Sequence, residues 1–447
     1  MPAPQSPPGH GTGLGLWTLV ALVVGDMIGA GVYTTSGLSL GALGSRGVVM
    51  AGWAVAGLLA LTGAASYAML ARRLTQSGGE YLYLRQEIHP VAGSIAGYVS
   101  LLAGFTGAIA FAAATFGLYA RAALPGLAVL PPQAIGAALI LLAGLVHLAR
   151  TGAGAALNTA MVILKLVGLV AFCIAAAALI ATRAVPIPSA PAAQPFHLPA
   201  FGDALVWISL SYSGFNAAIY VAGEARDPAR SVPRAILIGT ALTLLLYLAV
   251  NFAFLYAAPY ASIVGQPDIA GLAAQALAGT PARHAMEALI LVSLATAILS
   301  MLLAGPRVYA RMARDGVLPR WLAGVDAAPP RAAILFQVVL AIVATSIASL
   351  RDLLSYLGFA LSLSAAFAVS TLFVRHLRTG QRPASRAYPL APAIFVAGTL
   401  LCGFLAALNA PLQFAATAVT ILIGVTAHLL RRMAGARSTV AAGDDTR

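Results

Sequence analysis

Apolar residues in this chain come in runs of bilayer-crossing length almost end to end, where a crossing helix needs about 20 of them. Twelve such windows can be drawn, at 14–40, 47–71, 91–121, 132–149, 155–182, 201–223, 234–258, 285–310, 331–349, 353–374, 389–409 and 411–430. At about 1.5 Å of rise per residue each reaches or nearly reaches the far leaflet. Lipid offers the backbone no hydrogen-bond partner, so each window is read as a helix, or as a helix broken where protein covers the break. The expected fold class is an all-α polytopic membrane protein of twelve spans.

Composition sharpens this picture. Of 447 residues, 60% are hydrophobic and 9% charged, with a mean hydropathy of +0.90. Soluble domains carry about 25% charged residues, so a water-soluble fold is excluded. The apolar content equally excludes a disordered chain. The formal charge of +13 does not point to nucleic acid, because the arginines sit mostly in the gaps between apolar windows. With the N-terminus inside, 20 of the 25 arginines fall on the cytoplasmic side, and only Arg46, Arg121, Arg183, Arg283 and Arg351 fall outside. That asymmetry follows the positive-inside rule. It predicts a multi-pass protein of the cell's inner (plasma) membrane with both termini cytoplasmic and its basic surplus against anionic head groups. Residues 1–13 lack the basic start of a cleavable signal, so the first window is expected to be retained. Cys173 and Cys402 lie in separate windows and read as small apolar residues rather than a disulfide or metal site.

Three features inside the windows are not explained by spanning alone. Gly25-Asp26-Met27-Ile28-Gly29-Ala30-Gly31-Val32 puts three glycines mid-span in span 1, each weakening a helix by about 1 kcal/mol. Alone, close helix packing through small residues accounts for them as well as a functional break does. Ser211-Tyr212-Ser213-Gly214-Phe215-Asn216 interrupts span 6. Paired Gly-interrupted segments at matching positions of two halves point to a transporter's binding site. Lys165, the one lysine of the chain, lies mid-span in span 5. An ammonium there costs several kcal/mol, and a lysine is the cation whose charge shifts most readily on burial. Snorkelling to an interface is the alternative, awkward from about ten residues inside the window.

With these residues in view, the chain resembles the amino acid–polyamine–organocation (APC) superfamily, sodium-independent bacterial type. The likeness is carried by Gly25 through Tyr33, by Ser77-Gly78-Gly79-Glu80-Tyr81-Leu82-Tyr83 before span 3, by Gly214-Phe215-Asn216 with Glu224 through Ala235, and by Arg307 through Pro319 after span 8. The resemblance implies a LeuT-like five-plus-five inverted repeat with spans 1 and 6 broken. The first repeat is expected at 14–183, an outer loop at 184–200, the second repeat at 201–377, spans 11 and 12 at 378–430, and a cytoplasmic tail at 431–447. It further implies a zwitterion site between the breaks. Amides near Ile28, Gly29, Ala30, Gly31 and Val32 suit a carboxylate, and carbonyls at Leu210, Ser211 and Tyr212, with Ser213 and Gly214 beside them, suit an ammonium. Lys165 matches the lysine that occupies a sodium ion's place in sodium-independent relatives. It is expected near the carbonyls of Gly25 and Ile28 and the hydroxyl of Thr296, with Ser293 or Ser300 as further candidates.

Other positions carry weaker expectations. Relatives often have an aromatic lid where Leu210 stands, which leaves Phe215 or Tyr212 as substitutes. Asp26 reads as a packing partner before a proton site; if it faced Lys165, the two would titrate as a unit. Ala103 and Gly104 leave room for a substrate side chain or serve tight packing. Span 3 offers no acid for a cationic substrate, which tilts the reading to neutral amino acids. His147 and His428 are placed at membrane interfaces, and Glu224, Asp227 and Arg226–Arg234 at an inner gate or a solvated loop. The function expected is alternating-access amino-acid transport without sodium, driven by protons or by a counter-substrate. Exchange of cationic amino acids or polyamines is the alternative. A membrane enzyme ranks low for want of clustered carboxylates or a nucleophile with its base, and a channel for want of a visible filter. No cofactor, metal or nucleic-acid partner is expected, no outer-loop cysteine follows span 3 for a covalent partner subunit, and oligomeric state is left open.

Overall fold

The computed structural model describes residues 13–76, 79–148, 154–182, 196–324, 331–409 and 411–444, without the side chains of 154–160, 413 and 432–444. The N-terminal tail to residue 12, Ser77 and Gly78, Arg150, Arg183 and the outer-loop stretch 184–195 lie outside the described residues. The described residues are helical, with one isolated bridge, between Leu14 and Ala225.

Twelve spans follow in the expected order. Span 1 is two helices, Leu16–Met27 and Ala30–Leu43, and span 2 is Arg46–Ala71. Span 3 runs Pro90–Ala123 with a π-helical stretch, Ser100–Gly107, inside it. Spans 4 and 5 are Pro132–Leu148 and Gly154–Ala181. Span 6 is Leu198–Ser211, a turn, and a 3-10 segment Ala217–Glu224. Span 7 is Pro228–Tyr256, and span 8 is the inner part of Ile269–Arg314. Spans 9 to 12 are Arg331–Ile347, Leu350–Thr379, Leu390–Asn409 and Pro411–Asp444. The first helix of span 6, at 14 residues, is too short to cross alone. It stops where the polar run begins.

Local chemistry sets many of these ends. The Ser45 hydroxyl accepts from the Val48 amide to cap span 2, and the Ser349 hydroxyl accepts from the Asp352 amide to cap span 10. Gly44 and Gly380, at φ 66° and 69°, end the helices before them in the left-handed region that glycine favours.

Three boundaries differ from the hydropathy windows. Span 7 begins at Pro228, six residues early, because proline at the first position suits a helix start; Arg230 and Arg234 therefore sit on the helix. The helix carrying span 8 is preceded by a loop helix from Ile269, separated by non-helical Ala278 and Gly279 (φ 73°), too short and mixed to register as a span. The last helix continues past residue 430 to Asp444. Two side-chain expectations also change. His428 is buried, with Nδ1 3.4 Å from the Ser94 hydroxyl, rather than interfacial. The Glu224–Arg234 stretch holds one ion pair, Arg230 to Asp227 at 3.8 Å, with side chains 77% and 59% exposed. Glu224 ends the 3-10 segment, residues 225–227 are a mostly exposed loop, and 228–234 are the opening turns of span 7.

Candidate functional site

Span 5 decides how Lys165 is used. Ile163, Leu164, Val167 and Val170 are exposed on its outer face, while Lys165 and Leu169 turn inward and are buried. Snorkelling is excluded by that direction. The Lys165 ammonium donates to the Gly25 carbonyl at 2.5 Å and the Ile28 carbonyl at 3.0 Å. Gly25 makes the approach possible: a Cβ there would lie 3.0 Å from Val162 Cγ1 of span 5.

At the break itself, Ile28 (ψ 81°) and Gly29 (φ −114°, ψ −157°) leave the helical region. The last carbonyls of the first half-helix are largely satisfied. Val24 accepts from the Ile28 amide, and Met27 from the Gly29 amide and the Tyr247 hydroxyl at 2.6 Å. The opening amides of the second half are not. Ala30, Gly31 and Val32 have no acceptor for their N–H groups among the described residues. Open space surrounds Gly29, where an added Cβ would meet nothing within 4 Å. Three bare amides at a helix N-terminus beside a void form an anion cradle.

The span-6 break is longer. After Ser211 the chain turns through Tyr212–Asn216, with Gly214 at φ 93°. A side chain at Gly214 would also strike Asp26, whose Oδ2 would lie 2.6 Å from the added Cβ. Of the three carbonyls expected to be free here, two are engaged. Leu210 accepts from the Ser213 amide and hydroxyl, and Ser211 lies 3.0 Å from the Tyr247 hydroxyl. The turn closes on Leu210 through its own Ser213, while Ser211 is met from span 7 by Tyr247.

The two breaks are joined. Tyr247 of span 7 places one hydroxyl within hydrogen-bond distance of Met27 and Ser211, the last residues of both half-helices. Gly31 packs directly on the Ser211 side chain, and Thr35 and Ser211 hydroxyls are 3.4 Å apart. Where span 1 begins, the Leu14 amide donates to the Glu224 carbonyl and the Arg226 amide to the Leu14 carbonyl. Below the break, Glu80 is buried and accepts from Tyr67, Asn216 and Tyr220, which holds the approach to span 3 against the second half of span 6.

Accessibility is one-sided. Tyr33, Thr34, Thr35 and Ser36 beyond the break are fully buried. They lie under the loop after span 7, whose Gly265 amide donates to the Gly37 carbonyl, and against span 3, whose Tyr119 hydroxyl donates to the Tyr33 carbonyl. Asp26, just before the break, is exposed although it lies mid-span. The open space at the break therefore lies on its Asp26 side and not on its Tyr33 side. Asp26 forms no ion pair with Lys165 within 4.0 Å among the described residues.

The remaining expected residues are placed variously. The Thr296 hydroxyl donates to its own helix, at Val292 and Ser293, and not to the Lys165 cluster; span 8 reaches span 1 through Tyr33 to Ser293 at 3.4 Å. Tyr212 packs with tilted rings against Trp53 and Tyr247, and Phe215 packs edge-on to Tyr67 and Phe395. Both rings thus turn toward spans 2, 7 and 11. Leu210 is buried. Ala103 is buried in the π-helical stretch, whereas Gly104 is partly open, its nearest neighbour being Leu361 at 3.7 Å from an added Cβ. A π-bulge at such a place often marks a functional site. Sequence reasoning missed Tyr247 and the bulge, and saw Glu80 only as part of a motif. No cluster of three or more His, Cys, Asp or Glu placed to hold a metal occurs among the described residues.

Twelve apolar spans with two of them broken within their apolar windows, the first break leaving helix-opening amides beside open space, define a polytopic transporter-type membrane protein. The family model described as amino acid permease matches residues 14–427, and the chain belongs to that family. It is 29% identical to an uncharacterized transporter of Mycobacterium bovis, over 97% of this chain and 94% of that protein. It is 26% identical to the human large neutral amino acids transporter small subunit 2, over 77% of this chain and 66% of that one. It is 25% identical to the mouse b(0,+)-type amino acid transporter 1, over 78% and 72% respectively. Family and relatives mark this chain as an amino-acid transporter.

Proposed function

We propose that this protein carries neutral amino acids across the inner membrane by alternating access, without sodium, driven by protons or by exchange. The observation that carries the reading is the Lys165 ammonium on the carbonyls of Gly25 and Ile28. Freed carbonyls at a broken helix are a cation site, and here a fixed cation already fills it. The amides of Ala30, Gly31 and Val32 then take the substrate carboxylate. The Tyr212 carbonyl, with the outer lone pairs of Leu210 and Ser211, takes its ammonium. Recognition through backbone reads what all amino acids share, and the gap at Gly104 and Leu361 receives the side chain. Spans 1 and 6, tied at Leu14, Tyr247 and Ser211, move as one unit against spans 3, 4, 8 and 9, in the inverted-repeat arrangement, with both termini cytoplasmic.

The second reading, exchange of cationic amino acids or polyamines, gains from the exposed carboxylate of Asp26 beside the cavity. The name of the mouse relative is consistent with it. A competition screen in proteoliposomes, sodium absent and with or without a pH gradient, tests both. The neutral reading expects leucine-like or alanine-like competitors to block uptake; blockage by arginine or putrescine alone overturns it. A strict sodium requirement overturns the role given to Lys165.

A further inference from the structure

We propose that the pocket between the end of span 2 and the start of span 7 binds the phosphate headgroup of an anionic membrane lipid. The pocket, about 440 Å³, is lined by Arg72, Ala229, Arg230 and Arg234. Three exposed arginines line it, Arg72 at the C-cap of span 2 and Arg230 and Arg234 on the first turns of span 7. Arg72 is fixed by one hydrogen bond to the Ala384 carbonyl at 3.0 Å, which leaves its other donors for a ligand. Arg234 has no hydrogen-bond or ion-pair partner among the described residues. Arg230 meets only Asp227, at 3.8 Å and largely in solvent, too loose to cancel its charge.

The backbone adds a donor. Pro228 has no N–H, and the amides of Arg230 and Ser231 both donate to the Asp227 carbonyl. No side chain caps this 29-residue helix, so the Ala229 amide has no acceptor among the described residues. A bare amide at a helix N-terminus in a pocket lined by three arginines suits the oxygens of a phosphate, which accept bidentate forks and main-chain donors together.

The source of the phosphate is set by what lies along the helix. Arg230, Arg234, Leu237, Leu245 and Phe252 recur at helical spacing on one face of span 7. Leu237, Leu245 and Phe252 are exposed, so in a membrane this face meets hydrocarbon. A phosphate seated on the arginines is thereby continuous with acyl chains laid along that stripe. Free phosphate would use the arginines and ignore the stripe. The ligand would bridge span 2, span 7 and the loop from span 6, where Asp227 is the one non-glycine residue among those described to hold a positive φ, 47°. An effect on transport rests on the proposed carrier function; binding does not.

The test separates the two by reading binding directly. Purified protein is titrated in micelles with phosphatidylglycerol or phosphatidylcholine, and native mass spectrometry counts the retained lipid. Wild type is expected to retain one phosphatidylglycerol in preference to phosphatidylcholine. The Arg72→Gln/Arg230→Gln/Arg234→Gln variant should bind it about a hundredfold more weakly, as three interfacial arginines imply. Arg307→Gln/Arg320→Gln/Arg331→Gln, with the same change of charge elsewhere, should bind as wild type does. Undiminished retention in the pocket variant overturns the site, and equal loss in the control variant reduces it to a general field. Displacement by millimolar inorganic phosphate overturns the lipid as its source. Should the triple variant fail to fold, Arg234→Gln alone breaks no contact and should still weaken binding several-fold.

Discussion

The break in span 1 spans two residues, Ile28 and Gly29, and is held by an ammonium reaching in from span 5. The break in span 6 spans five, Tyr212 to Asn216, and is closed by its own amides, a serine hydroxyl and Tyr247. The two amides of the short gap reach only Val24 and Met27, so the Gly25 and Ile28 carbonyls are left to an outside donor; in the longer gap Ser213 caps Leu210 from within. The consequence is that span 1 depends on a charge belonging to another helix, while span 6 depends on neutral groups largely of its own making. The first can be biased by protonation or by a substrate's charge, and the second only by geometry.

That contrast is broken most directly at Lys165. Lys165→Ala strips donors from two carbonyls in the middle of the membrane, each costing about 1–3 kcal/mol when left unmade. Uptake into proteoliposomes is expected to fall about a hundredfold or more, while the purified protein still elutes as one species. Uptake near wild type would show that span 1 finds other donors and is no different from span 6.

Tyr247→Phe comes next. It removes the one hydroxyl that touches both breaks and leaves the ring, which packs on Trp53 and Tyr212. A loss of about 1–3 kcal/mol should lower the thermal midpoint and cut uptake about tenfold. Equal uptake with an unchanged midpoint would mean that the breaks are not coupled through span 7.

The two glycines at the breaks give a finer distinction. Gly214 holds φ 93° with Asp26 against it, so Gly214→Ala should cost about 1–3 kcal/mol of stability. Gly29 has a negative φ and empty space around it. Gly29→Ala should leave the thermal midpoint unchanged and raise KM several-fold, because the methyl enters the space assigned to substrate. An unchanged KM would move the substrate elsewhere.

How much of this the sequence displays depends on how singular each residue is. Lys165 stands out because no other lysine exists in the chain, and its partners Gly25 and Ile28 are where the resemblance places them. Gly214 stands out because a glycine amid polar residues has no reason to sit in lipid. Thr296 does not behave as expected, since a hydroxyl within a helix finds the carbonyls of the turn before it at no cost. Tyr247 is invisible in sequence, being one of 14 tyrosines whose direction depends on the packing of spans 1, 6 and 7. The π-helical stretch of span 3 is equally hidden, because Ser100-Leu101-Leu102-Ala103-Gly104 fits an ordinary α-turn just as well. Loop helices such as Tyr260–Ile263 are too short for any hydrophobic period to announce them.

The smallest effect belongs to the outer end of span 1, sealed by the loop that runs into Asp268. The Asp268 carboxylate meets Arg283 at 2.7 Å, and Arg283 also holds Glu287 and Gln275, with His284 on the far oxygen of Glu287. Burial pushes the Asp268 carboxyl up to about 6, against the opposing pull of Arg283 and the amide of Gly271, with Glu287 adding to the rise. A carboxyl raised above its unfolded value of about 3.9 binds its proton more readily in the closed loop than in the open chain. Its contribution therefore favours closure increasingly as pH falls from about 6 to about 4, and disfavours it above. Relative to Asp268→Asn, wild type should gain about 1 °C in thermal midpoint on going from pH 7 to pH 5. A difference of the opposite sign would mean that the Arg283 pair outweighs burial. The outer seal would then depend on charge in the way the span-1 break does, and the division between charge-held and geometry-held parts would run along span 1 rather than between spans 1 and 6.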